Sequence, residues 1–211
     1  MSYNTKDLQD ESRFRLVKIL RYEDIVEFVL ENIRKPNYST RFYYLILILL
    51  FASIIGFSAA GFRNELFIFR QYFKFFLLGF VSGSVLIIPV HELLHGFAYK
   101  IAGAPGIDFG SDLRQGIFYV AANNYVIGRK KFALVALMPF VVINIAAIIV
   151  LGFLTPYFFI MTLFLLFFHN LMCIGDFAML SFFLANEDKE LYTYDNHKEK
   201  TSYIYEKLGG S

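Results

Sequence analysis

The chain has 211 residues, of which 57% are hydrophobic and 19% aromatic, with a mean hydropathy of +0.51. That composition excludes an ordinary water-soluble domain and reads as an all-α polytopic membrane protein. A net charge of +2 offers no basic surface for a nucleic acid, and the single cysteine, Cys173, excludes an intramolecular disulfide and a cysteine-based zinc site.

Residues 1–40 are charged and mixed, and form a cytoplasmic N-terminal segment. Ile25, Phe28, Val29 and Ile33 recur at helical spacing, which predicts an amphipathic helix over 22–34. It lies on the inner leaflet, or covers the cytoplasmic mouth, or packs as an ordinary solvent-facing helix. Pro36 and Asn37 end it. No cleavable signal is expected, because the first apolar run starts only at Phe42.

Residues 41–185 read as the membrane-embedded part, with four spans. Residues 42–62 carry no charge and are long enough to cross a bilayer. Residues 72–101 are the second span, with a small-residue face at Gly79-Phe80-Val81-Ser82-Gly83 and a kink expected at Pro89. Residues 103–129 differ: Gly103, Gly106, Gly110, Gly116 and Gly128 punctuate short β-favouring pieces at 117–120 and 125–127. This predicts a small β-hairpin or sheet inserted between the second and third spans. The third span is 132–154. The fourth, 156–185, follows after a tight turn at Thr155-Pro156. The tail, 186–211, is polar and tyrosine-rich, and is read as partly helical or partly disordered; Gly209-Gly210-Ser211 has no assigned role. Lys and Arg number eight through Arg41, four in the loop after the second span and four in the tail, against three in the first loop and none in the third. This bias places both termini in the cytoplasm.

The chemistry lies late in the second span, at His91-Glu92-Leu93-Leu94-His95. Histidines four apart share a helix face, so both imidazoles can reach one metal, and Glu92 falls beside the water that a metal would activate. The plain alternative is a pair of histidines capping a membrane helix, although ionisable groups at membrane depth are costly and rarely idle. A hydrolytic zinc needs a third ligand. Asp176, His169 and, less favoured, Glu187 are the candidates. Asp176 matches His91 in depth: they lie about 30 Å and about 28 Å along spans that both start at the outer face. His169 falls two turns further out and reads as a hydrogen-bonded membrane histidine. Gly175 permits close helix approach or a local break beside Asp176. Asn170 is a candidate donor to a substrate carbonyl or a residue that bonds another helix, and Asn144 has only the second reading.

His91-Glu92-Leu93-Leu94-His95 in an early span and Asn170 followed by Gly175-Asp176 in a late one resemble the bacterial membrane family of putative zincin peptidases, which is similar to the site-2 intramembrane metalloproteases. The resemblance covers roughly residues 72–185, including the glycine-rich insertion and the Pro139-bearing span. In site-2 proteases the late motif is Asn followed by Asp-Gly, with the Asp on zinc; here Gly precedes Asp176 and Phe177 follows it. The resemblance implies a zinc protease in a bacterial cytoplasmic membrane, acting on membrane-associated substrates.

The expectation is therefore a membrane metallopeptidase with Zn2+ on His91, His95 and Asp176, Glu92 as general base and Asn170 as an accessory catalytic residue. The piece at 117–120 either holds an extended substrate by strand addition or only plugs the cytoplasmic mouth. The rival is a non-enzymatic membrane regulator or transporter-like protein with structural zinc, which would need no base at Glu92. Di-iron lipid oxidation is disfavoured, since only His91, His95 and His169 lie near the membrane.

Overall fold

A computed structural model describes residues 3–112 and 117–209. Gly116, Gly210 and Ser211 lie outside the described residues. In chain order the elements are α1 (Thr5–Leu8), β1 (Phe14–Arg21), α2 (Ile25–Ile33), α3 (Tyr38–Arg63), α4 (Phe69–Val81), α5 (Ile88–Ile101), β2 (Asp108–Asp112), β3 (Ile117–Ala121), β4 (Ile127–Gly128), α6 (Arg129–Leu151), α7 (Pro156–Met172), α8 (Ile174–Ala185), β5 (Glu190–Asn196) and β6 (Thr201–Lys207). The chain divides into two compact units.

The helical unit comprises Arg41–His91 and Pro139–Ile174. Among the described residues, three helices are long and apolar enough to cross a membrane: Tyr38–Arg63, Phe69–Ile101 and Arg129–Leu151. α7 and α8, bent by 45° at their break, make a fourth if they count as one span. Ile48, Ile55, Ile148, Ile149 and Phe153 are exposed, as side chains solvated by lipid would be. Inside the unit, Ile54, Phe67, Ile160, Leu163 and Phe164 form the core. The small-residue face packs as its composition suggests. A Cβ added at Gly79 would stand 2.6 Å from the Met161 carbonyl oxygen, and one at Gly83 would collide with the Leu165 carbonyl. Both glycines thus let α4 and the following turn touch the backbone of α7. Asn144 and Asn170 clasp each other, each carboxamide donating to the other at 2.8 and 3.0 Å.

The second span is not one regular helix. A wide turn of i→i+5 type occupies Ser82–Leu86, and α5 starts at Ile88. Pro89 is therefore in the first turn of α5, where its missing N–H would have no intrahelical partner anyway. The irregularity lies before Pro89, at the wide turn.

The other unit comprises Met1–Thr40, Glu92–Met138 and Gly175–Ser211. It contains a four-stranded antiparallel sheet in the order β1-β6-β5-β4, which corrects the all-α expectation and the reading of the tail as helical or disordered. The reason is a period-2 pattern. Tyr192 and Tyr194 alternate on β5, Tyr203 and Tyr205 on β6, and the register pairs Tyr192 with Tyr205 and Tyr194 with Tyr203. The last pair stacks at 5.2 Å between centroids, a cross-strand aromatic contact of the kind that stabilises hairpins. Lys200, at φ 51°, turns the hairpin, and the Asn196 side chain accepts from the N–H groups of Lys198 and Glu199. β1, hidden in the mixed-charge segment, completes the sheet beside β6. The amphipathic helix appears as α2, preceded by a 3-10 turn at Tyr22–Asp24. The expected insertion appears as the antiparallel pair β2–β3, and of 125–127 only Ile127 is in a strand. Leu20, Phe28, Ala98, Tyr99, Phe132, Phe183, Leu191 and Ile204 are among the residues of one core, so strands, α5, α6 and α8 share it.

Candidate metal centre

α5 carries the motif one turn apart on a single face. His91 and His95 are buried, Glu92 is partly buried, and Leu93 is exposed. Ligand atoms of His91, Glu92 and His95 all lie within 4.8 Å of one another. The sheet-bearing unit holds the end of this helix through Tyr99, one turn beyond His95; Tyr99 is buried in the core of that unit and lies near the Asp195 carboxylate. Asp195 accepts from Ser202 Oγ at 2.5 Å. Burial pushes the Asp195 carboxyl above the usual carboxylate range, while Ser202, His197 and Tyr99 oppose that rise.

His95 is fixed at both ring nitrogens. Nδ1 lies 2.9 Å from the Val135 carbonyl, so it carries a proton and donates, and in the neutral ring Nε2 keeps its lone pair. That Nε2 stands 3.4 Å from Asp176 Oδ1, in the first turn of α8. Two ligands at 2.0–2.2 Å on a tetrahedral zinc are about 3.3 Å apart. The separation therefore suits two ligands of one metal, and a carboxylate with neutral imidazoles is the donor chemistry of hydrolytic zinc. His95 and Asp176 thus fit the ion as a pair, while the close group of donors on this helix is His91, Glu92 and His95. Gly175 has nothing within 4 Å of an added Cβ. Of its two expected roles, close helix approach is absent and the helix break falls just before it, at Cys173.

Glu92 is positioned by the hairpin. The Val120 N–H of β3 donates to Glu92 Oε2 at 2.8 Å. Gly96 makes this approach feasible, since an added Cβ would meet Val120 Cγ1 at 3.1 Å and Ile107 Cδ1 at 3.0 Å. Neither Val120 nor Gly96 was singled out by sequence reasoning. Gly96, directly after the second histidine, was the available signal.

His169 departs from the depth argument. Its Nε2 lies 3.1 Å from His91 Nδ1, and both belong to the helical unit. The argument assumed a straight 1.5 Å rise along both spans. The wide turn at Ser82–Leu86 breaks that assumption. From Gly83 beside Leu165 to His91 beside His169, the second span uses eight residues where α7 uses four. His91, His169 and Cys173 have ligand atoms within 4.8 Å of one another, a second group of donors on the same histidine. Asn170 is fully buried and its carboxamide is engaged with Asn144. Glu187 is exposed and lines a charged pocket with Arg129, Lys130, Lys131 and Lys189.

No curated protein and no solved structure matches the chain. The model of a family described as "putative zincin peptidase" matches residues 84–191, about half of the chain, from the wide turn through the motif, the hairpin and α6–α8 to the start of β5. The chain belongs to this putative zincin peptidase family, and its activity class is that of a metallopeptidase using zinc.

Proposed function

We propose that the protein is a membrane-embedded zinc peptidase, similar to the site-2 intramembrane metalloproteases, which hydrolyses peptide bonds of membrane-associated proteins or peptides. The observation that carries this reading is His95, held by Val135 so that its Nε2 meets Asp176 at 3.4 Å, with Glu92 on the same helix. His91, His95 and Asp176 would hold the zinc. When bound, the ion supplies Lewis-acid activation of water and of the scissile carbonyl.

Glu92 takes the proton of the attacking water and returns it to the leaving amine. The Val120 N–H on Oε2 holds the carboxylate in place for that transfer. Among the described strands β3 pairs only with β2, and the Val120 N–H shows that its other edge faces Glu92. A substrate added to that edge as an extended strand would present peptide bonds that a helix hides. Asn170 serves here as a helix-pairing residue, because its carboxamide is engaged with Asn144 in both directions.

The sheet bears on topology. β1 comes from the N-terminal segment, β4 from the loop after the second span, and β5 and β6 from the tail. Strands of one sheet share one side of a membrane, which supports four crossings with the bent α7–α8 pair as the last. The Lys and Arg bias makes that side cytoplasmic. An Asn123→Cys variant in a Cys173→Ala background should resist an impermeant thiol reagent in intact cells and react after lysis. Ready labelling in intact cells would reverse the orientation.

The functional test is Glu92→Gln, which removes the base and keeps the shape. Proteomes of cells with the native or the Gln form should differ by a membrane-associated protein that accumulates uncut with Gln. If no protein changes and the Gln form complements a deletion, the peptidase reading fails and a regulator with structural zinc stands.

A further inference from the structure

His169 is fully buried, sits 3.1 Å from His91 Nδ1 through its Nε2, and has Cys173 Sγ 3.7 Å from the same nitrogen. Only one of two neighbouring nitrogens can carry the shared proton. If His169 Nε2 carried it, neutral His91 would accept at Nδ1 and be protonated at Nε2, leaving no lone pair there for a metal. If His91 Nδ1 carries it, His169 Nε2 accepts, His169 is protonated at Nδ1, and His91 Nε2 keeps its lone pair. A metal on His91 Nε2 therefore requires the second arrangement. His95 solves the identical problem with the Val135 carbonyl.

Resting on the zinc-peptidase reading, we infer that His169 is a positioning residue: an uncharged imidazole that accepts from His91 and holds it in its metal-binding tautomer, not a ligand itself. A backbone carbonyl does this for one histidine of the motif and a side chain from α7 does it for the other. Partners of this kind orient the ring and raise its basicity, and their loss typically costs about 10–100-fold in metal affinity.

The test uses full-length protein in detergent, with zinc affinity measured by chelator competition. His169→Leu removes the acceptor and should weaken zinc binding by about 10–100-fold. His169→Gln keeps an acceptor at the ε position and should restore near-native affinity. Equal affinity for the native and Leu forms would overturn the positioning role. So would a complete loss of zinc in both variants, which would make His169 a ligand. A native protein that binds no zinc would instead overturn the metal centre and this inference with it. A second measurement needs no variant at position 169. The chain has four histidines, so ring 15N spectra of zinc-loaded, histidine-labelled protein contain four ring systems. The His169 signal should report protonation at Nδ1 alone; protonation at Nε2 would contradict the inference.

Discussion

In the helical unit the helices touch at two glycines, set among aromatic pairs such as Phe57 on Phe159 at 4.4 Å. Gly79 and Gly83 bring backbone against backbone, and the asparagine pair is its buried polar clasp. In the sheet-bearing unit the close contacts are made by large side chains: Tyr194 on Tyr203, Phe132 on Phe183, and strands joined across up to 193 positions of sequence. Lipid is as apolar as leucine, so helices gain little by burying large residues against each other and gain more from close fit. In water the gain comes from burial and from aromatic pairs. The helical unit relies on two glycine contacts and the sheet-bearing unit on long-range strand pairing, and substitutions in them should fail in different ways.

The largest effect is expected in the helical unit. Gly83→Leu forces a side chain into the Leu165 backbone, which cannot move as a flexible side chain would. Overpacking of this sort costs about 1–3 kcal/mol or more. The variant should lose thermal stability in detergent while Tyr fluorescence from the sheet persists to higher temperature. A single coincident transition, unchanged from native, would show that the glycine contact has no energetic weight.

A smaller and more selective effect is expected at the hairpin. Gly96→Val meets only side-chain tips, Val120 Cγ1 and Ile107 Cδ1, so folding should survive. The hairpin must shift, however, and with it the Val120 N–H on Glu92. A misplacement of about 1 Å can cost about 10²-fold in rate. Cleavage should fall steeply with zinc content unchanged. Loss of zinc and rate together would mean that Gly96 supports His95 rather than Glu92.

The smallest effect is a pH dependence in the sheet-bearing unit. The folded-state pKa of Asp195 is raised by burial, so the folded protein holds this proton more tightly than the unfolded chain does. Its contribution to stability is therefore full below the ordinary carboxylate range and is lost as pH rises through the folded pKa. The stability of native protein minus that of Asp195→Asn should decrease from pH 4 upward. A difference that grows with pH would mean that the lowering by Ser202 and Tyr99 outweighs desolvation.

The helical unit was largely legible in the sequence because its signal is local. An uncharged run over 42–62 and glycines four apart need no partner to be read. The hairpin was legible in part, through Gly103, Gly106 and the piece at 117–120, but its other strand, Asp108–Asp112, has no β-favouring run. The sheet was not, because β1 pairs with β6 across nearly the whole chain, and its eight residues, with Arg15, Lys18 and Arg21 spaced three apart among apolar ones, do not alternate. The tyrosines at 192, 194, 203 and 205 did carry a period of two, and that signal was present but unread. At the metal centre the motif announced His91, Glu92 and His95, whereas Val120 acts through its backbone and leaves no mark on the sequence. His169 was judged by counting residues along straight helices, and the wide turn at Ser82–Leu86 made that count misleading.

The central claim is that His91, His95 and Asp176 hold one zinc with Glu92 beside it as base. Zinc content per chain, measured on purified native, Asp176→Ala and Glu92→Gln proteins, tests it most directly. The account predicts about one zinc in the native and Gln forms, as a single set of three protein ligands requires, and little in the Asp176→Ala form. Equal zinc in native and Asp176→Ala proteins, or its loss from the Gln form, would contradict it.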